Sequence, residues 1–120
     1  MYRKLFVGVL GLFLLNSCYY DSEEELYGTC NTTNVTYSQN ITNIFLSNSC
    51  MNCHGNPTSN GAPFSLVTYA DVKMQVDKGR LLGAINHEQG FAAMPKDAPK
   101  MSKCDIDKVT AWVVSGAPNN

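Results

Sequence analysis

The sequence predicts a single small domain that is mainly α-helical. Apolar residues recur at helical spacing in three stretches, each stretch follows a polar cap residue, and none alternates as a β-strand would. The 120 residues suffice for one domain with a modest core. The formal net charge of -1 leaves no basic surface for a nucleic acid, so we exclude DNA and RNA as partners.

The first segment is predicted to be a secretory signal. Two basic residues precede an apolar stretch, Leu5 to Leu15, that is too short to span a bilayer. The run that ends in Cys18 resembles the lipobox of bacterial lipoproteins. This resemblance implies cleavage after residue 17 and a diacylglycerol on Cys18, which would anchor the protein in a membrane of the cell envelope. The alternative is an ordinary signal peptide of residues 1–17 with Cys18 unmodified.

Residues 18–29 are predicted to be a solvated tether. Asp21 and the run Glu23–Glu25 make this segment acidic, and it has too little apolar content to fold. Acidic residues behind a lipidated cysteine also resemble the export signal of surface lipoproteins in some Gram-negative bacteria. Both interpretations stay open, as does the choice between the periplasmic side and the outer surface. The folded domain is predicted to span residues 30–120.

The first predicted helix leads directly into a cysteine motif. Ser38 is its candidate cap. The apolar residues that follow at helical spacing are Ile41, Ile44 and Phe45. Residues 55–63, which come after the motif, are rich in Gly, Asn, Pro, Thr and Ser and are predicted to form an ordered loop.

Two longer helices are predicted after this loop. A capping-box pattern at Thr68 and Asp71 begins the first of them, and Gly79 ends it. Ser102 is the candidate cap of the last helix. Its predicted buried face consists of Ile106, Val109, Trp112 and Val113. Between the two, a short turn over residues 81–85 and a loop over residues 90–101 are expected.

Cys50, Cys53 and His54 form a Cys-x-x-Cys-His motif, which is typical of covalent haem attachment. In this chemistry the two thiols add to the two vinyl groups of haem. The adjacent histidine then ligates the iron from one face. The sequence therefore predicts one covalently bound haem c.

Three other uses of these cysteines compete with haem. A thioredoxin-like redox pair would need a strand–turn–helix setting, which the sequence lacks. A zinc site could add His87 or Cys104, but zinc spacings usually pair two ligand clusters. A structural disulfide between Cys50 and Cys53 is the third alternative.

Met94 is the candidate for the sixth iron ligand, opposite His54. Pro95 follows it directly and would stiffen the loop that presents the sulfur. A histidine and a methionine together are the ligands of many electron-carrying cytochromes. The other candidates are Met51, Met74, Met101 and His87.

The stretch from about Cys30 to Pro118 resembles the small class I c-type cytochromes. The resemblance rests on the helix before the Cys-x-x-Cys-His motif, the Met94 loop with its proline, and a last helix that carries Trp112. It implies a cytochrome c-like fold, in which the first and last helices cross beside the haem. It also implies an electron carrier, not an enzyme, that exchanges single electrons with redox protein partners.

The resemblance implies two contacts that a structure can test, one between helices and one at the His54 ring. Where the first and last helices cross, Ile41 or Phe45 should touch Val109 or Trp112. In addition, a loop carbonyl near Pro63 should hold the His54 ring through its second nitrogen.

Two cysteines remain when Cys18 is assigned to lipid and the motif cysteines to haem. An even remainder in an exported protein favours a disulfide, here between Cys30 and Cys104. In the class I fold this bond would tie the segment before the first helix to the start of the last helix. Two buried free thiols are the alternative.

Two other functions stay open beside that of a free carrier. If Met94 does not ligate, an open iron could bind peroxide or a gas, and His87 would be the candidate distal acid–base group. The chain could also be the electron-entry subunit of a larger oxidase or dehydrogenase, whose function lies in docking.

Overall fold

The structure is a computed structural model that describes residues 29–120. A compact unit spans Asn31–Asn120, and within the described residues every regular element is helical and no strand occurs. The prediction of a mainly α-helical class is therefore confirmed. No helix in this part of the chain is long and apolar enough to cross a membrane. The predicted signal peptide, Cys18 and nearly all of the predicted tether lie outside the described residues.

The first helical segment has two parts. It begins as a π-helical turn, Tyr37–Ile41, and continues as helix α1, Thr42–Ser47. The predicted apolar face is buried, with Ile41, Ile44 and Phe45 each at most 5% exposed.

The cap of this segment differs from the prediction. Thr36 is the cap, and its hydroxyl accepts a hydrogen bond from the backbone of Gln39. Ser38, the predicted cap, lies inside the π turn, and its N–H donates to the Asn120 carbonyl over 2.9 Å. The Tyr37 N–H donates to the Asn120 side chain over 2.8 Å. The helical hydrogen bonds begin at the Thr36 carbonyl, which accepts from the Asn40 and Ile41 N–H groups, so Ser38 already lies inside the helical segment.

Helix α2, Met51–His54, is a single turn that carries the cysteine motif. Ser49 lies between α1 and α2 with a φ of 57°, and the chain changes direction there. The Cys50 N–H reaches back across this reversal to the Phe45 carbonyl, over 2.9 Å. Residues 55–68 then form a loop without regular structure, which includes the predicted loop of residues 55–63.

Helix α3, Tyr69–Asp77, begins at the predicted capping box. The Thr68 hydroxyl accepts from the Asp71 N–H over 3.2 Å, and the Asp71 carboxylate accepts from the Thr68 N–H over 3.1 Å. Hydrogen bonds from Thr68 lower the pKa of Asp71 because they stabilise the carboxylate. Gly79, at a φ of 66°, separates α3 from the short helix α4, Arg80–Ile85.

Helix α5, Lys103–Val114, is the longest of the described helices. Ser102 caps it as predicted, and its hydroxyl accepts from the Asp105 N–H over 3.1 Å. Of the predicted buried face, Ile106, Val109 and Trp112 are buried, whereas Val113 is only partly so.

The core is one cluster to which every helical segment contributes. Trp112 is fully buried, and its indole N–H donates to the Pro118 carbonyl over 2.9 Å. Its ring centroid lies 5.7 Å from that of Tyr37, which in turn packs edge-on against Tyr69 at 5.1 Å. The π turn therefore packs on α5. The apolar residues expected where these segments meet, Ile41, Phe45, Val109 and Trp112, all belong to this cluster.

The buried amide of Gln75 leads to a prediction about stability. Its Oε1 atom is buried and has no hydrogen-bond partner among the described residues. Such an unpaired polar atom costs about 1 to 3 kcal/mol. Gln75→Met keeps the length of the side chain and removes the polar atoms, so the free energy of unfolding should rise by about 1 kcal/mol in urea titrations.

The matched control is Gln75→Glu, which would place a charge in the same position and should lower the free energy of unfolding. If Gln75→Met also lowered it, the amide oxygen would have a hydrogen-bond partner in solution.

Candidate functional site

The three side chains of the cysteine motif lie on one turn of helix. Cys50 stands at the start of α2, and Cys53 and His54 end it. Residues three and four apart in a helix are neighbours on its surface, which brings both thiols and the imidazole to one side. The thiols of Cys50 and Cys53 are free, whereas Cys30 and Cys104 are disulfide-bonded, so the predicted disulfide is confirmed.

Cys50 is in a setting unlike that of a redox-active thiol. Burial raises the pKa of the Cys50 thiol, the proximity of Cys53 raises it further, and a hydrogen bond with the backbone of Cys50 partly opposes both. Reactive cysteines of the thioredoxin type instead have a lowered pKa, because the thiolate is the nucleophile. The site therefore does not support the thioredoxin-like alternative.

His54 is the ordered centre of the site. Its side chain is buried, and the ring Nδ1 donates to the Phe64 carbonyl over 2.8 Å. The imidazole also stacks on the Phe64 ring, with centroids 4.8 Å apart and planes inclined by 26°. The loop carbonyl expected near Pro63 is thus that of the next residue. A histidine whose Nδ1 carries the proton has its Nε2 lone pair available for a metal.

The loop after α2 is bound back onto the motif by hydrogen bonds. The Leu66 N–H donates to the His54 carbonyl over 2.8 Å, and the Ser59 N–H donates to the Cys53 carbonyl over 2.9 Å. The Asn60 amide reaches the Cys53 sulfur at 3.5 Å. These bonds fix the path of the loop and with it the carbonyl that orients the imidazole.

Two residues of this loop were missed by the sequence reasoning. Phe64 could have been suspected, because an aromatic residue beside Pro63 lies within reach of His54. No sequence signal marks Asn60, whose role depends on how the loop folds back onto α2.

Met94 lies on a separate element, the loop after α4, and is partly buried. Its N–H donates to the Ala84 carbonyl over 3.0 Å, and its own carbonyl accepts from the Nε2 of His87 over 3.0 Å. The structure therefore brings together Met94 and His87, the two rival ligands. Within the described residues, no hydrogen bond joins either of them to the cysteine motif.

The other methionines have different surroundings. Met101 is 6% exposed and belongs to the hydrophobic core, whereas Met74 is 49% exposed on α3. Met51 lies within α2 itself and packs against the core. Of the four, only Met94 combines partial burial with a position in a loop.

The zinc alternative gains no support from the geometry. In residues 29–120, no three side chains of His, Cys, Asp or Glu gather into a group that could hold a metal ion. Cys104, one of the two candidates for a fourth ligand, is disulfide-bonded. His87, the other candidate, uses a ring nitrogen to bond the Met94 backbone.

Comparison with known proteins adds no assignment. No family model, no curated protein and no solved structure matches the chain. The resemblance to class I cytochromes therefore stays a prediction.

Proposed function

We propose that this protein is a single-haem c-type cytochrome that carries one electron at a time between redox partners in the cell envelope. The observation that carries the proposal is the hydrogen bond from the Nδ1 of His54 to the Phe64 carbonyl, beside two free thiols. An imidazole held through one nitrogen and available through the other is the usual state of a metal-ligating histidine.

The donor set of α2 fits covalently bound haem. Attachment requires two free thiols, each of which adds its sulfur and its proton across one vinyl double bond, and the thiols of Cys50 and Cys53 are free. When bound, the haem supplies a one-electron couple at its iron. The residues of the chain supply attachment, orientation and control of the potential.

His54 is the proposed ligand on one face. Donation from Nδ1 to a carbonyl fixes the tautomer and the orientation of the ring, and it raises the basicity of Nε2. Stacking on Phe64 further restricts rotation of the imidazole. A ring held in this way does not have to reorganise when the electron arrives or leaves.

Met94 is the proposed ligand on the opposite face. Its backbone is held at both its N–H and its carbonyl, which suits a residue that must present a side chain in one place. Ligation of His87 through Nε2 would break the bond from that atom to Met94. A thioether ligand raises the reduction potential relative to a second histidine. With His54 and Met94 both bound to it, the iron would have no position open for a substrate, which is why the proposed role is that of an electron carrier and not of an enzyme.

The proposed fold and location follow the same assignment. The packing of the π turn on α5 suits a cytochrome c-like fold, in which the first and last helical segments cross. Disulfide-bonded Cys30 and Cys104 suit an exported protein, since disulfides persist in oxidising compartments. In this proposal Cys18 carries the lipid that holds the carrier at the membrane.

Removal of the motif cysteines tests haem attachment. The double variant Cys50→Ala/Cys53→Ala should lose all covalent haem, measured by haem staining of a denaturing gel, because no thiol remains to attach it. The control Cys30→Ser/Cys104→Ser also removes two cysteines and should keep the stain. Stain in the first variant would contradict the proposal.

Removal of the thioether tests the sixth ligand. Met94→Ala should abolish the weak sulfur-to-iron charge-transfer band and allow carbon monoxide to bind the reduced protein, both read from visible spectra. Met74→Ala, a change at an exposed methionine, should do neither. An unchanged band in Met94→Ala would place the ligand elsewhere.

Replacement of Cys18 tests the lipid anchor. Cys18→Ser should move the protein from the membrane fraction to the soluble fraction, because serine cannot accept the diacylglycerol. Cys30→Ser is the matched control and should leave the partitioning unchanged. Retention of Cys18→Ser in the membrane fraction would show that another feature binds the membrane.

A further inference from the structure

We propose that His87 is a positioning residue that holds the Met94 loop through a hydrogen bond from its ring to the Met94 carbonyl. The inference deepens the proposed function and rests on it where it concerns the iron ligand. It changes the role of His87 from a rival ligand, or a distal acid–base group, to a support for the ligand loop.

Both peptide groups of Met94 are hydrogen-bonded. The Met94 N–H donates to the Ala84 carbonyl of α4, and the Met94 carbonyl accepts from the Nε2 of His87, both over 3.0 Å. The peptide group between Met94 and Pro95 has no N–H, so its carbonyl is its only hydrogen-bonding atom. His87 binds that atom.

His87 itself has an unusual backbone conformation. Its φ of 54° lies in the left-handed region, which residues other than glycine adopt at a cost in strain. Its N–H donates over 3.2 Å to the Ala84 carbonyl, the same atom that accepts from Met94. His87 and Met94 thus share the Ala84 carbonyl as an acceptor near the end of α4. The bond from the His87 ring to the Met94 carbonyl is a second link between them.

The middle of the loop that leads to Met94 is also anchored. A Cβ placed on Gly83 would lie 2.5 to 2.7 Å from atoms of the Phe91 ring, so the ring packs directly on the glycine. The Glu88 N–H donates to the Gly83 carbonyl over 2.9 Å. The path of the loop is therefore fixed before it reaches Met94, and the bond from His87 then restrains Met94 itself.

A restrained loop has a measurable consequence for the ligand. An external ligand such as imidazole binds the oxidised iron only after the Met94 sulfur has left. Loss of a hydrogen bond that holds the loop raises the population of the open form, and the apparent affinity for imidazole rises by the same factor. One hydrogen bond corresponds to a factor of about three to ten.

Three variants separate the hydrogen bond from the fold. His87→Gln keeps an N–H donor at a similar reach, and His87→Leu keeps the bulk without the donor. His87→Gly relieves the strained backbone but also removes the donor. If His87 acted only through its backbone conformation, His87→Gly would hold the Met94 loop more firmly than the other two variants. If the ring bond positions Met94, the glycine and leucine variants should behave alike and the glutamine variant should resemble the wild type.

Imidazole titration of the oxidised, haem-loaded protein tests this inference through the charge-transfer band. His87→Leu and His87→Gly should bind imidazole about three to ten times more tightly than the wild type. His87→Gln should stay within about twofold of it. Equal affinities for imidazole in the wild type and His87→Leu would overturn the proposal. So would a His87→Gln variant that binds imidazole as tightly as His87→Leu does.

Amide hydrogen exchange at Met94 gives a second measurement that needs no axial ligation. The Met94 N–H should exchange about three to ten times faster in His87→Leu than in His87→Gln. Equal exchange rates would also overturn the proposal. If the rates differed as expected but the wild type showed no sulfur-to-iron band, His87 would hold the loop and the assignment of Met94 as ligand would be wrong.

Discussion

The fold depends on the segment that follows α5, because its carbonyl groups join elements that are too short to be stable alone. Carbonyls within residues 117–120 accept hydrogen bonds from the Tyr69 hydroxyl, the Trp112 indole and the Ser38 N–H. Isolated helices shorter than about 12 residues are marginal in water. Helices α1 to α4 have only 4 to 9 residues. Their stability must therefore come from packing in the shared core around Trp112. The acceptors of residues 117–120 add bonds to α3, through Tyr69, and to the π turn, through Ser38.

The boundaries of the helices were predictable where the deciding interaction is local. Thr68 and Ser102 each cap a helix by accepting a hydrogen bond from the residue three positions later, and such spacings are visible in a sequence. Ser38 was assigned on the same logic, and the assignment was wrong because the segment begins earlier, at Thr36, where the distant Asn120 satisfies the N–H groups of Tyr37 and Ser38. The contribution of Tyr37 was missed for the same reason, since its partners lie on α3 and α5.

In the candidate site, too, local features were predictable from the sequence and contacts between distant residues were not. The spacing of Cys50, Cys53 and His54 is a local property that a sequence displays directly, and the structure places all three on one helical turn. The support for His54 comes from Phe64, ten positions later, on a loop whose return path no local pattern specifies. Sequence spacing alone could not decide whether Met94 or His87, seven positions earlier, is the candidate ligand. A side chain at that separation can lie beside either the sulfur or the backbone, and only the three-dimensional structure shows that it bonds the carbonyl.

The four described cysteines fall into two chemical classes, and this division bears on the haem attachment proposed for the motif. Cys30 and Cys104 are disulfide-bonded, while Cys50 and Cys53 stay free. Disulfides form by attack of a thiolate, so a thiol whose pKa is raised reacts slowly. Burial raises the pKa of Cys50 and so lowers its thiolate fraction at any pH below that pKa. The raised pKa therefore slows attack by the Cys50 sulfur itself on another sulfur.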